Sequence, residues 1–334
     1  MRTSVVRSCI KALLFACCLM LLVWMVIQAG PAQLWQTLMD MPFTIIGCVV
    51  IWGIGYLLNM QSFRQILYAM CDSAGQDHNQ LTGWQILRLT ISGYAINYIT
   101  PFGLLGGEPY RIIVLRPILG TEKATQSVVL YSMMHMASHF CLWLLSVVLA
   151  IIVLQEISAD HWIGLVSILF GVAILLILFG YLYRNGIMLR FMRRWVDWPL
   201  LNPSLLPFDS FIKALGFELI SRLVSVIEYW LIMQALGFNT FGYIDALLVV
   251  AFSSLFANLL FFSPLQMGTR EGGILLALQY LVPSVSAAVG TGASLLAVAV
   301  ALSFATRLRE FIWIALGMLM MKMSGTFDKE NSKK

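Results

Sequence analysis

A chain of 334 residues that is 60% hydrophobic and only 11% charged cannot hide its apolar surface in water, because a soluble domain carries roughly 25% charged residues. No polar stretch is long enough for a soluble domain, so the composition points to one membrane domain with membrane lipids as its surroundings. The net charge of +5 follows membrane topology in its placement and gives no reason to expect nucleic acid as a partner.

In chain order, the first apolar run covers 9–29, with Arg2, Arg7 and Lys11 at its start. Its length of roughly 20 residues exceeds the core of a signal peptide and fits an uncleaved first span. Further runs over 42–62, 124–154, 162–183, 211–236 and 292–322 also reach the ~20 residues needed to cross the hydrocarbon layer. Two more apolar stretches, 84–118 and 243–283, break midway. The first breaks at Pro101-Phe102-Gly103, with Gly106 and Gly107 behind it; the second breaks at Ser263-Pro264, with Gly268 behind it. Proline removes a backbone donor and clashes with the preceding turn. Irregular backbone at membrane depth is tolerated only inside protein or beside a wet cavity. Each broken stretch is therefore predicted to be a re-entrant hairpin returning to its own side.

Basic residues set the orientation. With the N-terminus inside, the inside segments hold 17 of the 21 Lys and Arg, from Arg2 to Lys334, and include Arg88, Arg111, Arg116, Arg190, Arg193 and Arg194. The outside loops hold none and carry Asp40, Glu156 and Asp160. Such a split predicts a multi-pass protein of the inner, cytoplasmic membrane with both termini in the cytoplasm. The loop 184–210, with Trp195 and Trp198 among its arginines, suits either an ordinary inside loop or contact with anionic headgroups.

This topology makes the two halves inverted copies. Half one is 1–155 with the hairpin 84–118, half two is 156–325 with the hairpin 243–283, and 326–334 is a cytoplasmic tail. The predicted fold class is thus an all-α polytopic membrane protein of six full spans and two re-entrant hairpins in an inverted-topology repeat. Paired broken helices in inverted repeats form the binding sites of transporters, near the bilayer midplane.

Four arginines, Arg222, Arg270, Arg307 and Arg309, fall inside apolar segments, where a central charge costs at least about 2.5–3.5 kcal/mol. Arg222 lies about 11 residues into its span, roughly 16 Å deep. The available carboxylates are Glu218, four residues before Arg222, Glu310, three after Arg307, and Glu228, Glu108 and Glu271. Two readings stay open: ion pairs that hold helices together, or a site for an anion such as a lipid phosphate. The half-helix starts near Gly106 and Thr269 favour the anion, since free N–H groups and the helix dipole attract phosphate. The predicted substrate-binding residues are Asn97, Glu108, Arg111, Arg222, Asn258, Arg270, Glu271 and Arg307, with Glu218, Glu228, Arg309 and Glu310 as charge partners, all around one mid-membrane cavity.

No catalytic residue, metal site or cofactor is predicted. His135 and His139 share a helix face but lack a third ligand, and read as polar core or cavity lining. The six cysteines form no CxxC pair and read as small buried residues. Neither a Walker phosphate loop nor a dinucleotide fingerprint occurs.

The paired motifs Asn97-x3-Pro101-x5-Gly107-Glu108-x2-Arg111 and Pro264-x3-Gly268-x-Arg270-Glu271-Gly272 resemble those of the lysylphosphatidylglycerol synthase transmembrane-domain family. This flippase-like family includes the membrane half of the multiple peptide resistance factor, and the resemblance covers nearly the whole chain. Residues Phe102 to Leu105 depart from it where a polar or basic residue is common. The resemblance implies movement of an aminoacylated phospholipid or a lipid-phosphate carrier between leaflets. Bifunctional members add a soluble lysyl-transferring domain, which this chain is expected to lack, so enzymatic activity is not expected despite the family's name. The competing class is an integral-membrane enzyme, or a non-catalytic partner subunit, in phospholipid or glycolipid synthesis. A small-solute transporter of similar architecture is a third. A lipid-synthesis enzyme and a second copy, as a homodimer, are the protein partners this leaves open.

Overall fold

The computed structural model describes residues 31–72, 81–99, 106–153, 206–259, 268–289 and 293–324, with Met20, Ile27 and Gln266 singly. Almost all of the predicted span 9–29, the span 162–183, the hairpin breaks at Pro101 and Pro264, and the basic loop up to residue 205 lie outside the described residues.

Every regular element among the described residues is helical: α1 (Pro31–Met39), α2 (Pro42–Asp72), α3 (Gly83–Ile99), α4 (Gly107–Val153), α5 (Phe208–Ala235), α6 (Tyr243–Leu259), α7 (Thr269–Tyr280), α8 (Pro283–Val289) and α9 (Ala293–Ser324). Proline opens α1, α2 and α8, the one helix position where its missing N–H costs nothing. Thr82 and Gln85 exchange backbone and side-chain hydrogen bonds at 3.3 and 2.9 Å to start α3, which is a capping box.

The predicted span 42–62 continues ten residues further, to Asp72. The extension is held by protein: Phe63, Ile66, Leu67 and Met70 are completely buried, in a core with Ile86, Leu115, Val128, Leu130 and Met134. Within α4, Gly120 has φ 75° and ψ 164°, a region open almost only to glycine, and Pro117 lies one turn earlier. Two helical pieces, 107–119 and 121–153, therefore meet there, where the sequence separates the hairpin arm from the next span. The pair α7–α8 is bent by 91°.

Of the described helices, α2 and the stretch 107–152 are long and apolar enough to cross a membrane, and the bent pair α7–α8 brings this to three. Helices α5 and α9, with 28 and 32 residues, have the length, at roughly 1.5 Å per residue. Composition sets them apart: α5 carries Glu218, Arg222 and Glu228, and α9 carries Arg307, Arg309 and Glu310.

The distribution of polarity is inverted relative to a water-soluble protein. Phe43, Ile46, Val50, Ile54 and Leu57 are exposed along one face of α2, Phe43 by 86%. Leu145, Val148 and Ile152 do the same on α4, and Phe311, Ile312, Leu316 and Leu319 on α9. Spacings of three and four, with Phe311 beside Ile312, place each set on one side of its helix. Glu218, Glu228 and Glu271 meanwhile have no exposure at all. Lipid is the solvent that suits such a surface.

The chain divides into two compact units whose boundaries fall inside helices. The first contains α1, α2 up to Ile51, the residues from Asn97 at the end of α3, α5 from Ser225, all of α6 to α8, and α9 up to Trp313. The second contains α2 from Trp52, α3 up to Ile96, α4, α5 up to Val224, and α9 from Ile314.

Candidate functional site

Each unit contains a buried array of charges. In the first unit, the array is built from α7, α9 and the Ser225–Ala235 end of α5. Gly268, at φ 77°, turns the chain into α7. Its N–H donates to Glu271 Oε2 at 2.7 Å, so Glu271 caps the helix start, where a carboxylate is favoured. The other oxygen, Oε1, accepts from Ser303 at 2.5 Å and from Arg307 at 2.7 Å. Arg270 uses two nitrogens: Nη1 donates to Glu310 at 2.6 Å and Nη2 to the Gln266 side-chain oxygen at 2.8 Å. Gln266 has φ 54°, unusual for a residue with a side chain. Its carbonyl accepts from Thr269 at 3.1 Å and from Arg307 at 3.5 Å. Arg309 grips both oxygens of Glu228, at 2.8 and 2.9 Å, a two-point contact that only the guanidinium fork makes. Three arginines thus balance three glutamates.

In the second unit, the array is built from α3, α4 and the Phe208–Val224 part of α5. Glu218 Oε2 lies 2.9 Å from His135 Nδ1 and 4.0 Å from Arg222 Nη2. Arg222 Nε donates to Ser138 at 3.1 Å, and Nη2 lies 2.7 Å from His135 Nε2. The same Nη2 also lies 2.9 Å from His135 Nδ1, so an arginine, which only donates, faces both ring nitrogens. Tyr94 joins His135 to Tyr131 through hydroxyl contacts of 3.0 Å each. The Arg111 guanidinium lies 5.0 and 5.2 Å from the centres of the Tyr94 and Tyr131 rings, a cation–π arrangement. Arg111 Nη1 reaches Glu108 at 3.4 Å. Gly93 makes room for it, since a Cβ there would run into the guanidinium.

The predicted site residues divide accordingly. Arg270, Glu271, Arg307, Glu228, Arg309 and Glu310 meet in the first unit; Glu108, Arg111, Glu218 and Arg222 meet in the second. Asn258 donates to the Ser254 carbonyl of its own helix at 2.7 Å, and Asn97 is buried near the end of α3. Arg88 and Arg111, counted among the inside basic residues, are buried in protein. Arg88 donates at 3.1 Å to the Met320 carbonyl in the last turns of α9, where a cation suits the helix end. Sequence reasoning set His135 aside as lining and passed over Tyr94, Tyr131, Ser303 and Gln266. The available signal was His135 itself, an ionisable group inside an apolar helix. Among the described residues, no group of three or more His, Cys, Asp or Glu side chains is placed to hold a metal ion, and Cys48, Cys71 and Cys141 are free thiols.

Apolar helix faces turned outward over buried ion pairs define an integral membrane protein. More particularly, the chain belongs to the lysylphosphatidylglycerol synthase transmembrane-region family, whose model matches residues 9–318. Comparison with curated proteins and with solved structures gives no match.

Proposed function

We propose that the protein is a flippase-like transporter. It moves an aminoacylated phospholipid, or a lipid-phosphate carrier, between the leaflets of the inner membrane by alternating access and without nucleotide. The observation that carries this reading is the charge balance of the buried arrays. A headgroup bearing both phosphate and ammonium can exchange with an arginine–glutamate pair and leave no charge unpartnered: phosphate takes the arginine, ammonium takes the carboxylate. Buried charge is tolerated only when paired, so such an exchange lowers the barrier to carrying the headgroup through the membrane. Membership of a family named for lysylphosphatidylglycerol synthesis supports a lipid of this kind. The architecture proposed for it is six full spans and two re-entrant hairpins in an inverted repeat, both termini cytoplasmic.

The family's name also favours a second reading, in which the chain is the membrane partner of a lipid-synthesising enzyme. Reconstitution separates the two. Vesicles containing only this protein and one labelled lipid at a time receive an outer-leaflet quencher. Faster equilibration of aminoacylated or phosphate-bearing lipids than in protein-free vesicles supports transport by this chain alone. Equal rates for every lipid contradict it.

A further inference from the structure

One feature of the second unit exceeds what gripping a phosphate requires. A continuous series of hydrogen-bonding groups runs from the Tyr131 hydroxyl to that of Tyr94 at 3.0 Å, then to His135 Nδ1 at 3.0 Å, then to Glu218 Oε2 at 2.9 Å. Each of these groups can both give and take a proton, which the arginine–glutamate pairs of the first unit cannot do, because arginine does not deprotonate. The Glu218 side chain has no exposure, whereas those of His135 and Arg222 are 21% and 15% exposed. The series therefore has a closed end at the carboxylate and an open side at the imidazole. Ionisable chains inside membrane helices mark functional sites, proton relays among them.

We infer that Glu218 and His135 form a proton-binding site, loaded from the open side at His135. The titratable and charged groups around it are Tyr94 from α3 and Arg111, Tyr131 and His139 from the two pieces of α4, with Arg222 from α5 itself. From α2, the neutral Ser62 hydroxyl faces Glu218. The arriving proton comes from water at the open side of His135. It ends on Glu218, so the carboxylate becomes a carboxylic acid and the imidazole leaves the exchange with the charge it had. Only N–H and O–H bonds change. Before loading, Arg111 and Arg222 balance Glu108 and Glu218. After loading, the array carries one net positive charge, centred on Arg222.

One consequence rests on the lipid-transport reading: the loaded array favours an anionic headgroup at Arg222, and by linkage a bound phosphate favours proton uptake. The proton site itself stands apart from that reading.

The test is pH-difference infrared spectroscopy of the full-length protein in phosphatidylcholine nanodiscs, with no ligand added. A carboxylic-acid C=O band should appear as the pH falls, and move when the glutamates carry 13C. Glu218→Gln should remove it. Tyr94→Phe and His135→Gln, which keep the carboxylate and change its neighbours, should shift it, and they serve should Glu218→Gln fail to fold. Absence of the band in the wild type, its persistence in Glu218→Gln, or its indifference to both neighbouring substitutions would overturn the proposal. Lipid flipping that ignores pH while the band behaves as described would contradict the linkage between proton and headgroup, and absence of flipping would count against the transport reading; both leave the proton site supported.

Discussion

Arg309 and Glu228 are almost completely buried and bound at two points, which makes them a measure of what structural pairing is worth in this protein. Removing one partner of such a pair strands the other, at about 3–5 kcal/mol; replacing both with apolar side chains is near neutral. Arg309→Met should therefore lower the thermal midpoint in detergent strongly, and Glu228→Leu with Arg309→Met should recover most of the loss. A double variant no better than the single one would show that the pair does more than balance charge. Arg270 differs, because its two nitrogens serve two partners, Glu310 and Gln266. Lysine keeps the charge but loses the fork, so Arg270→Lys should slow lipid movement while the protein stays folded, as size-exclusion and flipping assays can check together. The sequence suggested neighbours one turn apart as partners. Glu218 does lie within 4.0 Å of Arg222, but its closer contact is His135, 83 residues away. Glu310 lies three positions from Arg307, yet Arg307 bonds Glu271 and Glu310 bonds Arg270. Spacing along a helix reveals which residues share a face; which other helix comes to that face depends on packing over the whole fold.

At the scale of the element, the helix breaks read from the sequence at Pro101 and Pro264 lie outside the described residues. Between the apolar stretches that the sequence ends at 118 and resumes at 124, the chain turns at Gly120, a position the sequence reading did not single out. Its backbone is nearly closed to other residues, so Gly120→Ala should cost about 1–3 kcal/mol. Gly216, within α5, is the matching control: nothing lies within 4 Å of a Cβ there. Gly216→Ala should leave stability unchanged or raise it by about 0.5–1 kcal/mol. The thermal midpoint should fall for Gly120→Ala and hold or rise for Gly216→Ala, and equal shifts would mean that the junction is not a constrained turn. The length of α2 was less legible. A hydropathy window ends near residue 62, whereas the helix continues on Phe63, Ile66 and Met70, which pack against protein. Hydropathy responds to lipid-facing stretches and says little about a helix that leaves lipid but stays buried.

At the scale of the whole molecule, composition alone indicated a membrane protein, and the outward apolar stripes of α2, α4 and α9 agree. Orientation rests on the basic residues. In a cysteine-free background, a membrane-impermeant thiol reagent added outside should reach cysteines placed near Glu156 and Ser286, but not at Arg116 or Arg194. Labelling of Arg116→Cys from outside would remove the first re-entrant hairpin and with it the inverted repeat. The central claim is that the buried charges handle a lipid headgroup. Its most direct measurement compares wild-type protein with the Arg222→Ala, Arg270→Ala double variant, reconstituted at equal density and shown to be equally folded. The readout is the fraction of labelled aminoacylated or phosphate-bearing lipid that an outer-leaflet quencher reaches over time. The account predicts that the wild type raises this fraction faster than the double variant. Equal rates across a panel of phosphate-bearing lipids would contradict it and leave the arrays as structural ion pairs.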